Sequence, residues 1–368
     1  MAWYNTSWDK RKKYSINNTF IDNTITDFVV WVDLNDDSDI NTHAKSDFSD
    51  VRVTTSDETT ECAIYVTDAG VLFTKIPSVS STTNTDFYIY YDNSGASAYA
   101  ASATYGQYNV HTNIDFWKTF HETPASTTDN EASTTYSNNS VNNLSSALTT
   151  GGPVVKYWDF SNANTGTSAQ QIDLGVNGPN LTTGPAFTIS TWISIKPSVS
   201  AMQTVLADYN GGTSSSNFTM GFHGLFDQLR MNSWNPSYND RRSTTALSGV
   251  ADDTWIHLAI TNNASDNWTW YYNGVADGTG TASYTPFAHT AGSVMIGATD
   301  STAGSGNNSL VLRGGMTDLR ISETTAYPAA WFKAEYSNSQ EPTFFTISAQ
   351  ELQGGGSTPD KKRSMMIN

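Results

Sequence analysis

The sequence predicts an all-β protein: two β-sandwich domains of jelly-roll type in tandem, with one short helix near the C-terminus. Two observations carry this. Apolar stretches are short and alternate, and the gaps between them are rich in Asn, Asp, Ser, Thr and Gly, the turn formers. At 368 residues the chain also exceeds the roughly 100–200 residues of one ordinary domain.

The elements follow in order. Residues 1–108 read as a first sandwich through "KYSI", "FVVWVDL", "VRVTT", "AIYV", "VLFTKI" and "DFYIYYDN". In the last of these, Phe87, Ile89 and Tyr91 alternate with Tyr88 and Tyr90, so one face is buried and the other partly covered. Residues 109–350 read as the second sandwich. It opens with "IDFWKTFHE", and the polar stretch 123–152 is a long surface loop inside it. Its strands are "VVKYWDF", "FTISTWISI", "TVLADY", "NFTMGF", "WIHLAIT", "WTWYYNG", "SVMIGA" and "GGMTDLRIS". "YPAAWFKAEYSN" is the helix, with Pro328 in its first turn and Trp331, Ala334 and Tyr336 inward. "TFFTISA" is a last strand of this domain, and residues 351–368 have the composition of a tail.

"NWTWYYNGVADG", Asn267–Gly278, puts Trp268, Trp270 and Tyr272 on one face of a strand and Thr269 and Tyr271 on the other. Asn273-Gly274 supplies the positive φ values of a type I′ hairpin. The three rings are expected in the core; a sugar platform is the competing reading. Trp192 and Trp255 are read as core, and His257 as a hydrogen-bonded strand residue.

Composition excludes several classes. Net charge is −16, against nucleic-acid binding, which needs cationic surface. Lys10–Lys13 and Lys361–Arg363 hold seven of the 19 basic residues; residues 14–359 carry 12 basic against 33 acidic groups. A basic end therefore reads either as solvated or as a docking point on an acidic partner. With Trp3, Tyr4, Trp8 and Tyr14 around it, the first run is the favoured anchor, unless those rings simply close the first sandwich. The N-terminus shows no apolar secretory segment, and "FVVWV" is too short to span a bilayer. The single Cys62, in "TECAIYV", reads as a buried, inert thiol.

The ordered set "FTISTWI", "DDTWIHLAIT", "WTWYYNGV", "VMIGA" and "GGMTDLRIS" resembles the concanavalin A-like, laminin-G-like lectin superfamily. "WDKRKKYSINN", "ITDFVVWVDL", "DVRVT" and "DFYIYYDN" resemble an uncharacterised β-domain that precedes such domains in bacterial, archaeal and viral proteins. The resemblance implies lectin-type sandwiches that include glucanases. However, the paired carboxylates of the hydrolytic branch on one strand are absent, and no enzyme is expected. Laminin-G-like relatives imply calcium held by Asp and carbonyl oxygens. Asp208 and Asp300 lie in suitable segments, but no ligand loop has diagnostic spacing, so no cofactor is expected and calcium stays an open alternative.

A sugar site needs rings beside amides and carboxylates. "HGLFDQLRMNSWNPSYNDRR" offers Trp234, Asn235, Tyr238, Asn239 and Asp240, and "ADYNGG" offers Asp208 and Asn210. Trp234 capping a sandwich edge is the bland alternative. The expected function is a non-enzymatic virion structural or attachment protein, such as a phage capsid decoration, head fibre or tail protein, with a lectin-like, carbohydrate-binding domain. Its expected partners are other virion proteins, further copies of itself and a host surface glycan, with no nucleic acid and no membrane insertion. A bacterial or archaeal cell-surface glycan-binding protein is the alternative.

Overall fold

The computed structural model describes residues 3–354 apart from 126, 129, 137–138, 143, 145–147, 161–169, 176–177, 180, 182–185, 210–217, 234–238, 282–292 and 300–309. The strands are β1 (Lys10–Ile16), β2 (Ile25–Asp33), β3 (Arg52–Thr55), β4 (Ile64–Val66), β5 (Val71–Val79) and β6 (Thr85–Tyr91). Then come β7 (Phe116–Lys118), β8 (Thr127–Thr128), β9 (Asn139–Asn142), β10 (Leu148–Gly152), β11 (Val155–Asp159) and β12 (Gln171–Asp173). Next are β13 (Phe187–Ile195), β14 (Met202–Tyr209), β15 (Phe218–His223), β16 (Gln228–Ser233), β17 (Asn239–Arg242) and β18 (Thr254–Asn262). Last are β19 (Asn267–Tyr272), β20 (Val275–Thr281), β21 (Ser293–Ile296), β22 (Gly315–Ser322), β23 (Phe345–Ile347) and β24 (Glu351–Leu352). Two α-helices, α1 (Ser38–His43) and α2 (Ala329–Gln340), and two short 3-10 helices, Asn18–Phe20 and Gln107–Asn109, complete the described elements. None of the described helices is long and apolar enough to cross a membrane.

Two compact units result: residues 3–66, 70–110 and 342–354 form one, residues 67–69 and 111–341 the other. In the first, β23-β1-β6-β3 form a sheet in which β24 also pairs with β1, and β2-β5-β4 form a second. The expected end of the second domain at 350 is thereby corrected. Phe345–Ile347 pairs with Ile16–Tyr14, and Glu351–Leu352 with Arg11–Lys10. The open edge of β1 needs backbone partners, and the last apolar strand supplies them. Residues 351 and 352 are strand rather than tail; 355–368 lie outside the described residues.

The N-terminal basic run is built into this sheet, which corrects its reading as an anchor. Arg11 is 0 % exposed. Its guanidinium lies 4.6 Å from the Trp3 ring and 4.4 Å from the Tyr88 ring, and pairs with Glu58 at 2.9 Å and Glu351 at 2.8 Å. Lys10 pairs with Asp92, Lys12 with Asp37 and Lys13 with Asp86. Trp8 and Tyr90 are buried together with Ala96, and Trp3 and Tyr4 pack on them. A cation held this way is neutralised and ring-stacked, so the segment presents no bare positive patch.

The second unit holds two eight-stranded sheets. One runs β10-β11-β22-β13-β18-β19-β20, with β7 also on β22; the other runs β17-β16-β15-β14-β21-β12-β9-β8. Phe116 and Phe120 lie in the core between them with Trp158, Ile193, Met220, Ile260 and Trp270. The polar stretch 123–152 is not one long loop. It contributes β8, β9 and β10, and the Thr residues of β8 and β10 suit strands. Asn130 fastens its start: Oδ1 accepts from the Trp117 and Ala132 amides, and Nδ2 donates to the Asp115 and Thr135 carbonyls. The buried Glu131 carboxylate accepts from the Thr119 amide at 2.6 Å and from Lys118 Nζ at 3.1 Å.

Helix α2 lies on the outer side of the first of these sheets. Phe332 meets Tyr271 at 4.4 Å, and Tyr336 stacks on Trp192 at 5.7 Å. Beneath it Arg320 bonds Asp318 through Nε at 3.0 Å and Nη2 at 2.6 Å and reaches Glu335 through Nη1. His257 Nε2 lies 3.3 Å from Glu335 Oε2. Burial alone would push the Glu335 carboxyl up, but Arg320 and His257 outweigh it and hold it below the usual range. Trp192 is therefore buried under the helix rather than in the sandwich core, and Trp255 is half-buried against Tyr157. The helix sits on the hairpin turn itself, where Asn273 and Gly274 have φ of 48° and 78°. A Cβ on Gly274 would lie 2.9 Å from Tyr336 Cβ.

Candidate functional site

The second sheet of this unit has a polar outer face. Alternation sends Leu229 and Met231 of β16 into the core, so Arg230 and Asn232 point away from it. The registers then define a row across the sheet: Asp240, Asn232, Thr219, Ala207, Met295 and Asp173. A second row runs Arg242, Arg230, Gly221 and Thr204. Gly221 is required there. The strand β14 bulges between Thr204 and Leu206, and a Cβ on Gly221 would lie 2.0 Å from the Gln203 carbonyl oxygen.

The face combines an apolar floor with unanswered polar atoms. Ala207, Met295 and Met202 are buried on it. Thr204 Oγ1, Gln171 Oε1, Asn232 Oδ1 and His223 Nδ1 are buried and have no hydrogen-bond partner among the described residues. Buried polar atoms ordinarily find partners; these four lie on one face whose described residues are themselves mostly buried. Asn232 and Gln171 are four strand spacings apart, about 19 Å, which suits an extended ligand.

At one end of the face Asp240 is shared by two arginines. Arg230 holds it through Nε at 2.7 Å and Nη2 at 3.0 Å, and Arg242 through Nε at 2.6 Å. Both guanidinium groups stack on Phe226, at 4.6 and 4.2 Å. His223 packs on the same ring at 4.6 Å. Burial, with Arg230 adding to it, pushes the His223 imidazole down, so it stays neutral near pH 7.

The residues expected from sequence fall out unevenly. Trp234, Asn235, Tyr238 and Asn210 lie outside the described residues. Asp240 reaches the face but is engaged by two guanidinium groups. Asn239, next along β17, pairs in register with Ser233 and points to the opposite side. Asp208 is corrected: it is 2 % exposed on strand β14, in register with core residue Phe218, and not in an open loop. This placement removes it from the sugar set. Among the described residues no three His, Cys, Asp or Glu side chains gather where they could hold a metal. Arg230, Asn232, Thr204 and Gln171 were missed, although the alternation in "QLRMN" already sends Arg230 and Asn232 to one side.

The first unit has a cleft of about 180 Å³ lined by Tyr65, Tyr99, Arg52, Asp47 and Gln107. Its arginine is already committed to the Ser49, Val51 and Ser97 carbonyls and to the Tyr99 ring at 4.1 Å.

Residues 164–329 match the family model of the concanavalin A-like lectin/glucanases superfamily. Among solved structures, the chain is similar to the binding domain of Paraclostridial Mosquitocidal Protein 1, at 12% identity and a TM-score of 0.43, over 61% of this chain and 52% of that one. The chain thus spans about half the length of that structure. It is also similar to domain 4 of AbnA, a GH43 extracellular arabinanase from Geobacillus stearothermophilus in complex with arabinotriose, at 15% identity and a TM-score of 0.42, over 62% and 98% of the two chains. A third is the Ruminococcus gnavus IT-sialidase CBM40 bound to alpha2,6 sialyllactose, at 14% identity and a TM-score of 0.33, over 41% and 84%. No curated protein matches the chain.

Proposed function

We propose that this protein is a non-enzymatic glycan-binding protein whose site is the outer face of the β17-to-β8 sheet. The observation that carries the reading is the set of buried, unpartnered acceptors there, Thr204 Oγ1, Asn232 Oδ1 and Gln171 Oε1, above an apolar floor. Sugars present hydroxyls at their edges and C–H groups on their faces, and such a surface answers both. Fold alone does not give function; the polar row supports this reading. The same geometry favours binding over hydrolysis, because the face carboxylates Asp240 and Asp173 stand five strand spacings apart, about 24 Å, whereas retaining hydrolysis uses two carboxyl groups about 5–5.5 Å apart across the bond.

The protein's place is an assembly that meets a glycan-covered surface: a virion, as a decoration, fibre or tail component, in which further copies and capsid or tail proteins are its neighbours. Mass spectrometry of purified particles tests this placement, and recovery from host cell envelopes alone would move it to the cell surface. Retention on immobilised polysaccharides tests the binding. The wild-type chain is retained and an Asn232→Ala, Gln171→Ala variant with an unchanged melting temperature is not. Equal retention of both would sink the site.

A further inference from the structure

We propose that the first unit carries a sugar site of its own: the cleft of about 180 Å³ between the 47–52 loop and the 97–101 segment takes one uncharged sugar ring. All of its lining belongs to that unit, and its walls are tied together before any ligand arrives. The Asp50 carboxylate accepts from the Lys45, Asp92 and Asn93 amides, which fixes the loop. Lys45 Nζ donates to the Ala96 carbonyl at 2.6 Å and Arg52 Nη2 to the Ser97 carbonyl at 2.7 Å, which ties the loop to the opposite wall. Gly106 lets the 97–107 chain fold back on itself, since a Cβ there would lie 2.2 Å from the Ala100 carbonyl oxygen. The Tyr108 amide then donates to the Ala101 carbonyl at 2.9 Å, and Gln107 comes to line the cleft.

The lining names the ligand's chemistry. Tyr65 and Tyr99 supply half-buried rings, Gln107 a half-buried amide and Asp47 an exposed carboxylate. These side chains reach solvent, so a ligand can touch them. The Tyr99 ring is fixed: the Arg52 guanidinium lies over it at 4.1 Å, its hydroxyl donates to Glu61, and Tyr105 packs at 6.1 Å. A ring held in place receives the C–H groups of a sugar with little further loss of freedom. Among the described residues the Gln107 amide has no hydrogen-bond partner. Sugar hydroxyls both donate and accept, which suits an amide beside a carboxylate. Charge decides against an anion. Arg52 Nη1 donates to the Ser49 and Val51 carbonyls, and Nε stands 3.8 Å from Glu61. An anionic ligand would therefore find the one cation engaged and meet the like charge of Asp47. Size decides against a chain, because sites for drug-sized ligands run to roughly 300–1,000 Å³. Phe48, on the same loop, has a φ of 53°, a conformation bulky residues rarely take and one that gathers at ligand clamps.

The experiment uses the full chain carrying Asn232→Ala and Gln171→Ala, so that the sheet face of the second unit does not contribute. Saturation-transfer NMR is run with the methyl glycosides of glucose, galactose, mannose and arabinose, and with methyl glucuronide. Ala98→Trp fills the cleft from its exposed rim, and Gln107→Ala removes the free amide; melting temperatures confirm that both fold. Transfer to at least one neutral glycoside, lost in Ala98→Trp and with a dissociation constant about tenfold weaker in Gln107→Ala, supports the inference. Transfer to none of the neutral glycosides, transfer that survives Ala98→Trp, an unchanged constant in Gln107→Ala, or transfer to the glucuronide alone overturns it. The sheet-face reading is left untouched by any of these results, since it stands or falls on polysaccharide retention by the chain with Asn232 and Gln171 in place.

Discussion

Trp270 and Tyr271 are consecutive and face opposite compartments. The Trp270 indole lies in the sandwich core, 0 % exposed, with Nε1 donating to the Arg241 carbonyl at 3.1 Å. The Tyr271 ring lies against Phe332 of helix α2. Both faces of strand β19 are thus covered, and its rings are structural.

Trp270→Ala should therefore destabilise the second unit by about 3–5 kcal/mol, read by urea unfolding. An unchanged unfolding midpoint with loss of polysaccharide retention would restore the sugar-platform reading.

Arg320→Met should cost about 3–5 kcal/mol, because it strands Asp318 and Glu335 as buried carboxylates without their cation. The same unfolding experiment measures it. A loss under 1 kcal/mol would show that the charges beneath α2 are reached by water.

Thr204→Val separates a ligand-facing hydroxyl from a structural one. The hydroxyl is buried without a partner, so replacing it with a methyl should leave stability unchanged or raise it by about 1–3 kcal/mol, while polysaccharide retention weakens. A destabilised variant would show that Oγ1 bonds within the protein.

Removing residues 1–8 should lower the melting temperature of the first unit, since it takes away Trp3 and Tyr4 from Tyr90 and breaks the Trp8 Nε1 bond to the Asp50 carbonyl at 2.6 Å. Full stability of the truncated chain would return this segment to the role of an external anchor.

His121 gives a pH signature. Burial pushes its imidazole down to about 3 from the ordinary 6.5. In this window the unfolded chain binds a proton that the folded chain refuses, so stability is lost as pH falls from 6.5 towards 3, at up to about 1.4 kcal/mol per pH unit. The stability difference between wild type and His121→Gln, followed across that range, should show this slope; a flat difference would mean that the folded protein accepts the proton.

Much of the second sandwich was legible because its strands alternate cleanly. "FTISTWI" and "WTWYYNG" declare their faces, and Asn273-Gly274 declares its turn. The end of the first unit was not legible. "TFFTISA" reads as a strand in any context, and nothing local says that its partner is Tyr14, more than 300 residues earlier. The ion pairs of Arg11 were hidden for the same reason: a basic run reads as solvated until Glu351 arrives beside it. The site was half visible. Ring-rich "SWNPSYND" attracted attention by composition. Thr204 and Gln171 carry no such signal, because an unpaired hydroxyl or amide shows itself only when its neighbours are in place.

The pairing of β1 with β23 and β24 also sets an order of events during synthesis. Strand β1 leaves the ribosome well before both partners on that edge, which follow residue 341. The intervening 111–341 unit is complete and able to fold while the first sheet still lacks its final strands. Domains ordinarily mature from the N-terminus onward; here the unit that begins first finishes second. Until residue 352 emerges, the nascent chain carries an open β1 edge, with Arg11 lacking Glu351, and that interval is when strand-to-strand association between neighbouring chains is most favoured.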